Sequence, residues 1–197
     1  NYDLALDNVE AIENYGNYDI VIEQVDNNFG IKVMGDATAT SNFIAEVSNK
    51  ELILNTKSQN RGLAGKCSVE VRVPKCEEIK NYGISSIQFS ITDPSLELEI
   101  ENNGVGSINL TNTTAKEIDI ENNGVGAINA TNTNAQRVEI ENEGVGAIAM
   151  ANLNCDEIKI SNNGTGKIAL MGSCKKIVSS KNKGVGTIDI SGLKVEE

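Results

Sequence analysis

The stretches LEIENNGVGSINLTN (98–112), IDIENNGVGAINATN (118–132) and VEIENEGVGAIAMAN (138–152) are nearly one line written three times. Glycines recur every 20 residues at Gly104, Gly124, Gly144, Gly164 and Gly184, each followed two positions later by a second glycine, Gly106 through Gly186. Asn102, Asn122, Asn142, Asn162 and Asn182 precede them, and Ile108, Ile128, Ile148, Ile168 and Ile188 follow. ENYGNYDIVI (13–22) and KNYGISSIQF (80–89) repeat the same relation upstream, so the motif has seven copies. A fixed period of this length marks a solenoid or an array.

Within a repeat the apolar residues alternate, Leu98 with Ile100 and Ile108 with Leu110. A period of two means strand, and Gly, Asn and Thr fill the gaps with no helical periodicity. Each repeat therefore reads as two short strands and two turns, one coil of a parallel β-helix, right-handed by the crossover rule. Stacked coils lie roughly 4.8 Å apart. Inward columns then run Leu98, Ile118, Val138, Ile158 and Ile100, Ile120, Ile140, Ile160. A second wall runs Ile108 through Ile188, beside Leu110, Ala130, Met150, Leu170 and Ile190. The corner glycines are expected to take positive φ, and the corner asparagines to form an amide ladder. Because no helix follows the Gly-x-Gly and every coil repeats it, the motif is not a dinucleotide loop. Leucine-rich repeats need a helical or similar return segment, and calcium-binding nonapeptide rolls need Gly-Gly-x-Gly-x-Asp turns; neither occurs.

The chain of 197 residues reads as a single domain: residues 1–75 as an N-terminal β cap with the first coil, and 76–197 as the β-helical repeats. YDIVIEQ (18–24), FGIKVMGD (29–36), FIAEVSNKELILNT (43–56) and CSVEVRVP (67–74) are alternating strands off the 20-residue period. SNKE (48–51) reads as a hairpin turn. An antiparallel cap of this kind would cover the strand edges of an open solenoid end. The loop KSQNRGLAGK (57–66) is the only basic cluster.

Composition narrows the chemistry. With no Trp and 4% aromatic residues, the core must be aliphatic. No His is present, which removes the usual general base near neutral pH and the commonest metal ligand. A formal net charge of −11 repels phosphate backbones, so nucleic acid is excluded as a partner class. No run of 18 apolar residues occurs, so no transmembrane segment is expected. Asn1 reads as a trimmed start, its export address removed. Cys155 and Cys174 fall in neighbouring coils, as a disulfide or as two buried thiols. Cys67 and Cys76 could pair across the cap junction.

Outward positions beside the buried columns are acidic. Glu99, Asp119 and Glu139 stack and end at Lys159; Glu101, Glu121 and Glu141 stack and end at Ser161; Glu97, Glu117 and Glu157 are interrupted by Arg137. Like charges about 5 Å apart in water repel by roughly 0.8 kcal/mol per pair. The six residues Glu99, Glu101, Asp119, Glu121, Glu139 and Glu141 are candidates for a weak calcium face, carboxylate oxygens being that ion's preferred ligands; the alternative is a solvated face. No catalytic residue and no cofactor is assigned. A polysaccharide lyase or hydrolase would need paired carboxylates in a groove, whereas these acids repeat by rung.

YDIVIEQ (18–24), LILNTKS (52–58) and VEVRVPKCEEIKNYG (69–83), followed by short strands with Gly-x-Gly turns, resemble the bacterial head GIN domain family of auto-transporter adhesins. The resemblance spans about Gly16 to Ile190. It implies a β-helical fold, export or a lipid anchor upstream, and a place in the periplasm or on the outer cell surface. It further implies an adhesive role toward an unidentified protein or glycan, without catalysis. The family's corner reads more like Ser-Gly-Ser-Gly, where this chain has Asn-Asn-Gly-Val-Gly. The alternative expectation is a carbohydrate-active β-helix enzyme.

Overall fold

The computed structural model describes residues 4–57 and 67–196. Its strands stack as the parallel coils that the period demands. The chain does not enter at the end of the stack, however. β1 (Ala11–Asn14) and β2 (Asp19–Gln24) make one coil. The chain then leaves through β3 (Gly30–Gly35), α1 (Ala37–Asn42) and β4 (Phe43–Ser48), and returns as β5 (Glu51–Thr56) and β6 (Cys67–Val73). β5 pairs parallel with β1 and β6 parallel with β2, so this later coil lies outside the earlier one. β7 (Glu78–Asn81) and β8 (Ser86–Ser90) take the opposite edges of β1 and β2. β9 (Glu97–Asn102), β10 (Ser107–Asn122), β11 (Ile128–Asn142), β12 (Ile148–Asn162), β13 (Lys167–Asn182) and β14 (Thr187–Val195) continue the stack in chain order.

The amino-terminal region holds both coils and the expected antiparallel cap, β4 and β3 lying on the outermost coil strands β5 and β6. β1, β2, β5 and β6 all pair in parallel with neighbouring coils, and the antiparallel part is confined to β3 on β6 and β4 on β5. The hairpin turn at 48–51 forms as expected, with Asn49 and Lys50 at φ 51° and 64°. α1 is an addition to the sequence reading. Asp36 caps it, its Oδ1 accepting from the Ala39 N–H at 2.7 Å, and Ala39 is fully buried. Most of the basic loop at 57–66 lies outside the described residues.

Each regular coil has three short walls instead of two. β10 and β11 turn at Asn112 and Asn132, and β12 turns at Asn152, with φ of 49°, 59° and 55°. Asn tolerates this left-handed conformation better than other residues carrying a Cβ. The expected columns are present in register: Leu98, Ile118, Val138 and Ile158 are partners in sequence, as are Ile100, Ile120, Ile140 and Ile160. All eight are buried. A fully buried Ile or Leu side chain contributes about 1.5–3 kcal/mol, so the aliphatic columns carry most of the core. Tyr18, Phe43 and Phe89 are also buried in it, where the sequence reading expected aliphatic residues alone.

The corner glycines serve a purpose other than the expected one. None of them has positive φ; among the described glycines only Gly35 and Gly172 do. A Cβ on Gly126 would instead overlap the carbonyl oxygen of Gly106 in the coil beneath, and one on Gly146 would overlap that of Gly126. Close stacking of backbone on backbone, not φ, excludes a side chain. The amide ladder does form. Asn14, Asn81, Asn102, Asn122, Asn142, Asn162 and Asn182 are joined Nδ2 to Oδ1 at 2.9–3.1 Å. Asn81 and Asn122 are fully buried.

The third wall buries Thr113, Thr133 and Leu153 in one column. The Thr113 hydroxyl donates to the Thr111 carbonyl at 3.4 Å, but the buried Thr133 Oγ1 has no partner. A buried hydroxyl without a hydrogen bond costs about 1–3 kcal/mol. Thr133→Val keeps the shape, and chemical denaturation should show it about 1 kcal/mol more stable than the parent.

Candidate functional site

The acidic columns read from the sequence are neighbours in the structure. Glu99, Asp119, Glu139 and Lys159 are successive register partners, as are Glu101, Glu121, Glu141 and Ser161. β7 extends the wall upstream, with Glu78 beside Glu99 and Lys80 beside Glu101. The wall carries its own cations. Lys80 lies 3.1 Å from Glu78 and 3.8 Å from Glu101, and Arg137 bridges Glu117 at 3.3 Å and Glu157 at 3.4 Å. A hollow of about 500 Å³ opens on this wall among Glu51, Glu78, Glu97, Glu99, Glu117 and Asp119. Among the described residues no three acidic or thiol side chains converge as a metal site would require.

Crowding and burial here push several carboxyl groups above their ordinary range. A hydrogen bond from its own carboxyl to Glu143, then burial, then Glu121, push Glu141 up to about 7. The same pairing, with Asn163 donating to it, holds Glu143 below the usual carboxylate range. Glu99 is raised by a hydrogen bond with Glu78 and by burial, and Asp119 by burial and then by Glu139. A raised folded-state pKa means the native protein binds the proton more tightly than the unfolded chain does. The Glu141 contribution is fully present below its ordinary value of 4.5 and is lost as pH rises through about 7. Glu143 acts oppositely, but its contribution falls away only below 4.5, outside the window from 5 to 8. Thermal unfolding should therefore show the melting temperature rising from pH 8 to pH 5. Glu141→Gln should flatten that slope and raise the pH 8 value by about 1–3 °C, the scale of a solvent-screened repulsion.

A second surface was not singled out by the sequence reading. At the third-wall corner the exposed amides of Asn112, Asn132 and Asn152 are linked Nδ2 to Oδ1 at 2.9 and 2.7 Å. The ladder stops there because the next coil lacks one residue at this corner, which it regains after Ile177: Thr133 partners Leu153, but Leu153 partners Gly172. Gly172 has φ 143°. A shallow depression of about 600 Å³ results, lined by Asn132, Asn134, Asn152, Asn154, Met171 and Lys194. Asn154 accepts from Ser173 at 3.4 Å, and Met171 is 59% exposed. The available signal was the 19-residue offset between Cys155 and Cys174, where the equivalent positions of the two preceding coils, Ala115 to Ala135 and Ala135 to Cys155, keep 20. On the glycine corner, Ile84, Val105, Val125, Val145 and Val185 form a ridge at least 60% exposed.

No helix among the described residues is long and apolar enough to cross a membrane. None of the curated proteins compared matches the chain. Solved structures do. One from Bacteroides fragilis NCTC 9343, described as a putative adhesin, has TM-score 0.77 at 22% identity over 95% of this chain and 94% of that one. One from Parabacteroides distasonis ATCC 8503, described as a putative lipid binding protein, has TM-score 0.70 at 15% identity over 94% of each. A putative adhesin from Parabacteroides merdae ATCC 43184 has TM-score 0.53 at 16% identity, covering 94% of this chain and 93% of that one. At such identities the likeness shows the fold. The family model described as "Putative auto-transporter adhesin, head GIN domain" matches residues 8–193, and the chain belongs to that family.

Proposed function

We propose that the protein is an exported, non-catalytic binding module of the cell-surface adhesin kind, held in the periplasm or on the outer surface of a bacterium. Its ligand is a protein or a glycan. Family membership supports adhesion. The observation that carries the reading is the amide-lined depression at the break in the repeat. Side-chain amides offer both donor and acceptor, and they suit peptide groups and sugar hydroxyls alike. A screen of glycans, matrix proteins and lipid vesicles tests this. The double variant Asn134→Asp, Asn154→Asp should weaken the captured ligand at least about tenfold, the scale of one lost buried hydrogen bond, while Glu121→Gln leaves it unchanged. Binding that ignores the depression would move the site elsewhere, and release of reducing ends from a polysaccharide would favour an enzyme instead.

A second reading concerns the acidic wall, where Glu99, Glu101, Asp119, Glu121, Glu139 and Glu141 would hold calcium between rungs. The upward shifts of Glu99 and Glu141, to which neighbouring carboxylates contribute, favour it, because a divalent cation relieves the same repulsion. No heat and no change in melting on calorimetric titration with millimolar calcium would remove it.

A further inference from the structure

Cys155 on β12 and Cys174 on β13 are register partners on neighbouring rungs. Both are 2% exposed and lie in the core. Ala115 and Ala135 precede them in the same column and Val195 follows, so this column carries sulfur on two adjacent rungs and nowhere else. Cys174 Sγ reaches the carbonyls of Lys176 at 3.2 Å and Asp156 at 3.7 Å. Adjacent strands set the Cα atoms about 4.8 Å apart, inside the roughly 4.4–6.8 Å range of disulfides. In regular parallel strands the Cβ atoms would sit farther apart than the roughly 3.8 Å mean of a disulfide. Here the paired segment is bounded on both sides by register shifts, between Met150 and Leu153 and between Ile158 and Lys159. The two cysteines thus sit in the one stretch of this strand pair where the regular register is interrupted on either side, so a small local adjustment there is all that the bond requires.

We propose that Cys155 and Cys174 form an oxidation site, closed to an inter-rung disulfide by exchange with a small-molecule or protein disulfide. One thiolate attacks the oxidant, forming a mixed disulfide and expelling one of its sulfurs as a thiol. The second cysteine's thiolate then attacks the protein sulfur of that mixed disulfide and expels the oxidant's other sulfur. One S–S bond forms in the protein and two S–H bonds are lost. The two protons and two electrons pass to the oxidant's disulfide, which ends as two thiols, so no proton is released net. Burial raises the Cys155 thiol well above its ordinary value, so exchange occurs while the last rungs are open, during folding or local unfolding. The other pair is an internal control. Cys67 begins β6 and Cys76 lies three residues past its end. A seven-residue strand spans roughly 23 Å, beyond disulfide reach.

The test refolds the purified chain in an oxidised/reduced glutathione buffer, with a native sample in oxidised glutathione alongside. Both are alkylated in denaturant, weighed intact and mapped by peptide mass. Refolding should give two of the four cysteines alkylated, an intact mass about 2 Da lower before alkylation, and a peptide joining 155 to 174. Reductant should then lower the melting temperature by about 5–10 °C, the scale expected for closing a loop of this length. In Cys155→Ser all three remaining thiols should alkylate and the reductant effect should vanish. Four alkylated cysteines in both samples, glutathione retained on Cys155 or Cys174, or a link to Cys67 or Cys76 would overturn the assignment.

Discussion

Gly126→Ala is expected to cost about 3–5 kcal/mol and to leave the coils around it unable to close. The added methyl would occupy the position of the Gly106 carbonyl oxygen. Relief requires the two corners to separate, which breaks the Val125 and Gly126 N–H bonds to Gly104 O at 3.1 and 3.3 Å. Overpacking contributes about 1–3 kcal/mol and each lost hydrogen bond about 1. Urea unfolding monitored by circular dichroism measures the loss. Val125→Ala one residue away is the control: Val125 is 60% exposed, and the substitution should stay within about 0.5 kcal/mol of the parent. Equal losses in the two variants would show that the corner is not limited by backbone contact.

Asn122→Ala should be of similar size for a different reason. Asn122 is fully buried, accepts from Asn102 Nδ2 at 3.1 Å and donates to Asn142 Oδ1 at 3.0 Å. Truncation strands one donor and one acceptor inside the corner, at about 1–3 kcal/mol each. The cost should therefore total about 2–6 kcal/mol. The exposed ladder supplies the comparison. Asn132→Gly keeps the left-handed backbone and removes the amide at a site open to water, so a loss under about 1 kcal/mol is expected. If denaturant titration ranked the two variants the other way, the buried ladder would be incidental to stability.

The stacking itself was legible because every coil repeats its apolar pattern, and Ile100, Ile120, Ile140 and Ile160 need only a period to be recognised as a column. The acidic wall followed by the same logic. What a period does not reveal is distance between backbones. A Gly required by the coil beneath and a Gly required by φ look alike in a string, so the reason for Gly126 was misread. The corner at Asn112 was hidden because Thr-Asn-Thr reads as strand on both sides. α1 was hidden because Ala-Thr-Ala-Thr-Ser-Asn is a weak helix former, held by its Asp36 cap and the packing of Ala39. The amide depression arises from one missing residue, which a search for sameness overlooks.

The placement of β1 and β2 between strands made later in the chain bears on assembly. Downstream ladder contacts join residues 20 apart, but Asn14 meets Asn81 across 67. Simple repeat arrays can nucleate anywhere and grow one unit at a time. Here the earliest coil must wait, both edges unsatisfied, until its two neighbours have emerged from synthesis. Contacts of that span pay loop-closure entropy first and form slowly. The carboxy-terminal rungs can zip up by local growth, while the amino-terminal end sets the pace at which the whole rod becomes native.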